Sequence, residues 1–224
     1  MRESPTEVST TMKFSGAVVA SLLVIAGMTV PSGADACLRM KRRRVQKVDH
    51  KLQDVNRAEH LLAKGQGPKA AKVARKRFRK FTAATGEPDS GKALFNRAQR
   101  TIALATVRSD GAIDLGKGMR GKTPEQRTGN LAWATSVLEI QVAAEPDNLL
   151  LRTYLAEALM HQPGGDAQAV ELLSQLANDD LMPTARGFAL LAQGQQRLGD
   201  VSGMDLSLQR CRELGEGDDI CTVA

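Results

Sequence analysis

From Asp49 onward, apolar residues return every three or four positions, the interval that gathers them on one face of an α-helix. Leu52, Val55, Ala58 and Leu62 do so over 49–64 and predict a first helix. Gly65-Gln66-Gly67-Pro68 reads as a turn, with Pro68 at the first helical position, where its missing N–H has no helical partner to lose. The second helix is expected over 68–84, with Ala70, Val73, Ala74, Phe78 and Phe81 inward and lysine or arginine nearly everywhere else. Residues 85–89 break it and Ser90 suits an N-cap. A third helix over 91–108 carries Leu94, Ala98, Ile102 and Ala105 in phase.

Residues 109–123 lose the period, are rich in glycine, and read as a flexible basic loop. Thr123-Pro124-Glu125-Gln126 has the form of a capping box and opens a helix to about Ala144. Two further helix pairs are expected, over 148–161 with 166–178 and over 183–198 with 201–214, before a polar tail at 216–224. Helical periodicity dominates, so the expected fold class is all-α.

The N-terminal pattern is different. Lys13 precedes a 14-residue apolar run, Ala17 to Val30, then Pro31-Ser32-Gly33 and the small-x-small triplet Ala34-Asp35-Ala36. These are the parts of a secretory signal peptide over 1–36. The run falls short of the ~20 residues that span a bilayer, so export is favoured over a permanent anchor. The polar residues 1–11 fit no part of a signal and point to Met12 as the start. Cleavage is expected between Ala36 and Cys37; lipid modification of Cys37 is the alternative, although the leucine usual before a lipidated cysteine is absent. The expected location is a bacterial periplasm or outer envelope.

Composition narrows the core. Aromatics are only 3% of residues against 42% hydrophobic, so the core must be built from Ala, Leu and Val, which suits close-packed helices better than sheets. Charge is segregated: Cys37 to Thr85 holds sixteen Lys/Arg against three acids, whereas Gly86 to the end holds thirteen against nineteen. The basic segment 37–48 and the ridge Lys69, Lys72, Lys76, Arg79 and Lys80 form either a solvated face or a dock for an anionic envelope lipid or polysaccharide. Nucleic acid is a poor candidate, because Phe78 and Phe81 are in core phase and leave nothing to stack bases.

The second half recurs at a period of about 35 residues. Leu155-Ala156 and Leu191-Ala192 place a large residue before a small one, and Gly165-Asp166 and Gly199-Asp200 form matching turns. Ala169, Leu173 and Leu208 continue the register, Met204 departs from it, and Pro146 and Pro183 close units. In these residues the chain resembles the tetratricopeptide repeat (TPR) family over about 125–215, and more weakly over 49–108. The resemblance implies antiparallel helix pairs stacked as a right-handed superhelix over 49–215, and a noncatalytic scaffold for protein–protein interaction. It also implies a protein-binding groove lined by Thr153, Glu157, Met160, Arg186, Gln193 and Gln196.

Candidate chemistry adds little. Gly116 to Thr123 satisfies the P-loop pattern, but a helical rather than a strand period precedes it, so nucleotide binding is not expected. His50, His60 and His161 have no metal-ligand spacing, and no serine lies in a nucleophile elbow. No cofactor, metal or catalytic residue is therefore expected. Cys211 and Cys221 are candidates for a disulfide in an oxidising compartment, with Cys211 as a plain buried residue the alternative.

Overall fold

The computed structural model describes residues 50–78, 93–116, 118–215 and 220–222, and among these every regular element is a helix. Eight helices follow one another: α1 over 50–63, α2 Gly67–Arg77, α3 Ala93–Val107, α4 Pro124–Ala144, α5 Leu149–Leu159, α6 Asp166–Asn178, α7 Ala185–Leu198 and α8 Val201–Glu213. The signal segment, Cys37, the basic stretch 37–48, Arg79 and Lys80 lie outside the described residues.

Short polar side chains set the helix starts. The Thr123 hydroxyl accepts the Gln126 N–H at 3.3 Å, while the Gln126 amide oxygen accepts the N–H of Lys122, one residue before the cap. Asn148, Thr184 and Asp200 likewise accept the N–H three residues on, from Leu151, Gly187 and Gly203. Gly199 ends α7 at φ 80°, a left-handed conformation open to glycine at little steric cost. One expectation changes: α2 stops at Arg77 rather than near Ala84. The Phe78 backbone leaves the helix at φ −122°, ψ 65°, and its ring meets Phe95 of α3 edge-on at 5.9 Å.

Each helix from α2 onward packs on its neighbour in sequence, and α3 also touches α5 as α5 touches α7. The core is a succession of three clusters. The first joins Ala58 and Leu62 of α1, Ala70 and Ala74 of α2, Ile102 of α3, and Leu138 of α4. The second lies among α5, α6 and α7 around Ala156, Ala169, Leu173 and Leu191. The third joins Phe188 and Ala189 of α7 to Cys211 and Cys221. Alanine at the contacts lets helix axes approach closely, and leucine fills what remains.

The 109–123 segment is anchored rather than loose. Ile113 and Leu115 are buried in the first cluster. Asn130 of α4, fully buried, donates from Nδ2 to the carbonyls of Gly111 and Ile113, each at 2.8 Å. Gly111 turns at φ 70°, and a Cβ there would overlap the Arg127 backbone.

Candidate functional site

The odd-numbered helices share a face, and three sets of ion pairs cross it. Arg97 of α3 forks onto Glu59 of α1, Nε to Oε1 at 3.0 Å and Nη2 to Oε2 at 2.6 Å, and also reaches Asn56 at 2.9 Å. Arg108, just past α3, forks onto Glu157 of α5 at 2.8 and 2.9 Å. Arg186 of α7 reaches the same carboxylate at 2.5 Å. Charge thus bridges α1 to α3, α3 to α5, and α5 to α7.

The pairs differ in burial. The Glu157 side chain is 2% exposed and Arg108 20%, whereas Arg97 and Glu59 remain about one-third exposed. Burial pushes the Glu157 carboxyl up, but the Arg108 hydrogen bonds and the charges of Arg108 and Arg186 together outweigh it, and the net displacement is downward. Burial likewise opposes the charge on Arg108, and Glu157 more than restores it. The Glu59 hydrogen bond raises Arg97.

Between the ladder's first two rungs lies a pocket of about 400 Å³, with a floor that includes Leu62, Leu104, Leu150 and Tyr154. Arg97, Arg100 and Arg108 stand along its α3 wall with Thr101. Arg97 and Arg108 are held by carboxylates; Arg100, half-buried, makes no ion pair or hydrogen bond among the described residues. Burial raises the Tyr154 phenol, although the Arg100 and Arg108 charges oppose that shift. Arg97, Arg100, Arg108 and Arg186 against Glu59 and Glu157 give the ladder and pocket residues an excess of two positive charges.

The residues that the TPR resemblance assigns to a groove divide. Thr153, Glu157 and Met160 are buried: Thr153 bonds the Leu149 carbonyl, Glu157 forms the ladder, and Met160 sits in the second cluster. Arg186 is partly exposed over Glu157, Gln193 is half-buried, and Gln196 is exposed. Glu59, Arg97, Arg100, Arg108 and Tyr154 were not singled out in the sequence. Their only signal is the spacing of 97, 100, 101, 104 and 108, which forms one stripe on α3 beside its core stripe.

Lys69, Lys72 and Lys76 are exposed on α2, and Lys72 and Lys76 border a recess of about 790 Å³ with Asp114 of the glycine-rich loop. Several described amides of that loop are already engaged within the protein, Lys122 N–H by the Gln126 side chain among them. Gly116 N–H donates to Asp114 at 2.9 Å and Met119 N–H to the Gly116 carbonyl at 3.1 Å. His161 stands 3.5 Å from Asp110. The structure joins Cys211 to Cys221 as a disulfide, with both buried against α7. No described helix is long and apolar enough to cross a membrane, and no described cluster of His, Cys, Asp or Glu could hold a metal.

No family model, curated protein or solved structure matches this chain.

Proposed function

We propose that this chain is an exported, noncatalytic scaffold that holds another protein along the face of α1, α3, α5 and α7, in the manner of the TPR family that its second half resembles. The observation that carries the reading is the ion ladder. It ties α1 to α3, α3 to α5 and α5 to α7, helices that are not neighbours in sequence, and frames a pocket. Neighbouring arginines fixed by carboxylates keep their geometry before a partner arrives, which lowers the ordering cost of binding. A photo-crosslinker placed at exposed Ala63, on the pocket rim, should yield a discrete protein adduct from envelope extract. One at exposed Glu171 on α6 should not. Adducts confined to Glu171 would overturn the assignment.

A second reading rests on α2, whose exposed Lys69, Lys72 and Lys76 lie one turn apart. Like charges at that spacing cost a helix ~0.2–0.5 kcal/mol per pair, a cost that an anionic envelope lipid or polysaccharide would offset. In this reading the chain is an electrostatic tether. Reversing all three lysines to glutamate should then abolish binding to anionic vesicles at an unchanged melting temperature. Unaltered vesicle binding sinks the tether.

A further inference from the structure

We infer that the recess between α2 and the glycine-rich loop is a site for an anionic glycerophospholipid. Lys72 and Lys76 hold its phosphate, while the glycerol and the first chain methylenes pack on Pro68, Ala71, Ala112 and Ile113. This deepens the tether reading and rests on it, choosing lipid over polysaccharide. The described lining of the recess carries three cations, Lys72, Arg75 and Lys76, against one acid, Asp114. Asp114 Oδ1 already accepts the Gly116 N–H at 2.9 Å. The acids of α1 and α2 are engaged elsewhere, Asp54 by Arg77 at 2.6 Å and Glu59 by Arg97. Lys72 and Lys76, one turn apart and exposed, make no ion pair or hydrogen bond among the described residues. Two ammonium groups at that spacing bracket a single phosphate, whose charge relieves their mutual repulsion.

The lining decides between the two anionic partners. A lysine ridge alone attracts any polyanion, but the floor here is aliphatic, and its described residues include no aromatic ring for a sugar to stack on. Methylenes leave water when they pack on such a floor. A volume of about 790 Å³ lies within the ~300–1,000 Å³ of pockets that hold a drug-sized molecule, room for a headgroup and the top of its chains. Lys69 carries the same charge on the same helix but is not among the lining residues, and its Nζ lies 3.2 Å from the Gln66 side chain. Position, not charge, therefore ranks the three lysines.

The test is titration of the full chain with dihexanoyl-phosphatidylglycerol below its critical micelle concentration, followed by calorimetry and by amide chemical shifts. Binding should saturate and should move the amide signals of Ala112 and Ile113. Glycerol 3-phosphate, which carries more charge but no chains, should bind at least about tenfold more weakly. Lys72→Gln together with Lys76→Gln should weaken the lipid roughly thirtyfold, about fivefold per lysine, at an unchanged melting temperature. Lys69→Gln should change it less than about twofold. Glycerol 3-phosphate that binds as tightly as the lipid, equal losses at Lys69, Lys72 and Lys76, or shifts that miss Ala112 and Ile113 overturn the inference. So does a monomeric lipid that fails to bind, or Lys72-dependent binding of oligogalacturonate in its place. If anionic vesicles still bind through the three lysines in those cases, the tether reading survives on charge alone and only the lipid site falls. Vesicle binding indifferent to all three lysines removes both.

Discussion

Replacing Glu157 by glutamine keeps the side chain's shape and removes its charge. Arg108 would then be a cation four-fifths buried, facing an amide instead of a carboxylate. Removing one member of a buried ion pair costs ~3–5 kcal/mol, mostly because the remaining charge is left uncompensated. Arg186 holds the same carboxylate from a side chain 44% exposed, so water can replace the contact, and Arg186→Gln should cost less than ~1 kcal/mol. The double variant Arg108→Met, Glu157→Leu removes both buried charges and should recover most of the loss. Urea unfolding at pH 7 measures all four proteins. Acid supplies an independent check. The folded-state Glu157 carboxyl is displaced downward, so its stabilisation is fully present above the unfolded value near ~4.3 and is lost as pH falls through the folded value. The wild type should therefore converge on Glu157→Gln in acid. A penalty for Glu157→Gln below ~1 kcal/mol, a larger one for Arg186→Gln, or a gap that widens as pH falls would refute the reasoning.

Ala156 and Ala169 are fully buried in the cluster between α5, α6 and α7, so leucine at either should overpack it by ~1–3 kcal/mol, visible as a lower melting temperature. Asn130→Ala removes the donor for the Gly111 and Ile113 carbonyls and should cost ~1–3 kcal/mol for each one left buried and unpaired. Faster amide exchange at the bonded loop amides of Gly111 and Leu115 should accompany that loss; unchanged exchange and stability would show that the clamp is dispensable. The Cys211–Cys221 disulfide closes a separation of 10 residues and should stabilise by ~2.7 kcal/mol in the chain-entropy model. Chemical unfolding of Cys211→Ala, Cys221→Ala against the oxidised chain measures it.

The sequence by itself determined the helices, because periodicity and caps act within a few residues. Thr123, Asn148 and Asp200 each find their N–H partner three positions away, and Ala98, Ile102 and Ala105 are buried as their phase requires. The limits of such local signals lie at Phe78, where the backbone leaves the helix and the ring meets Phe95 of α3, and at the glycine-rich loop. Glycine content alone reads as looseness there, while the anchoring side chain, Asn130, sits on the next helix. Of the candidate site, the TPR resemblance singles out Glu157 and Arg186 but not what they pair with, and the pairing belongs to tertiary structure. Arg108 and Glu157 are separated by 49 residues, Arg97 and Glu59 by 38, and Glu157 and Arg186 by 29. On any one helix each reads as an ordinary charged residue of a solvated face. Only the packing of α1, α3, α5 and α7 decides which arginines meet a carboxylate, which glutamate is withdrawn from water, and that Arg100 pairs with no carboxylate among the described residues. Those outcomes depend on distances between helices, which no local spacing encodes.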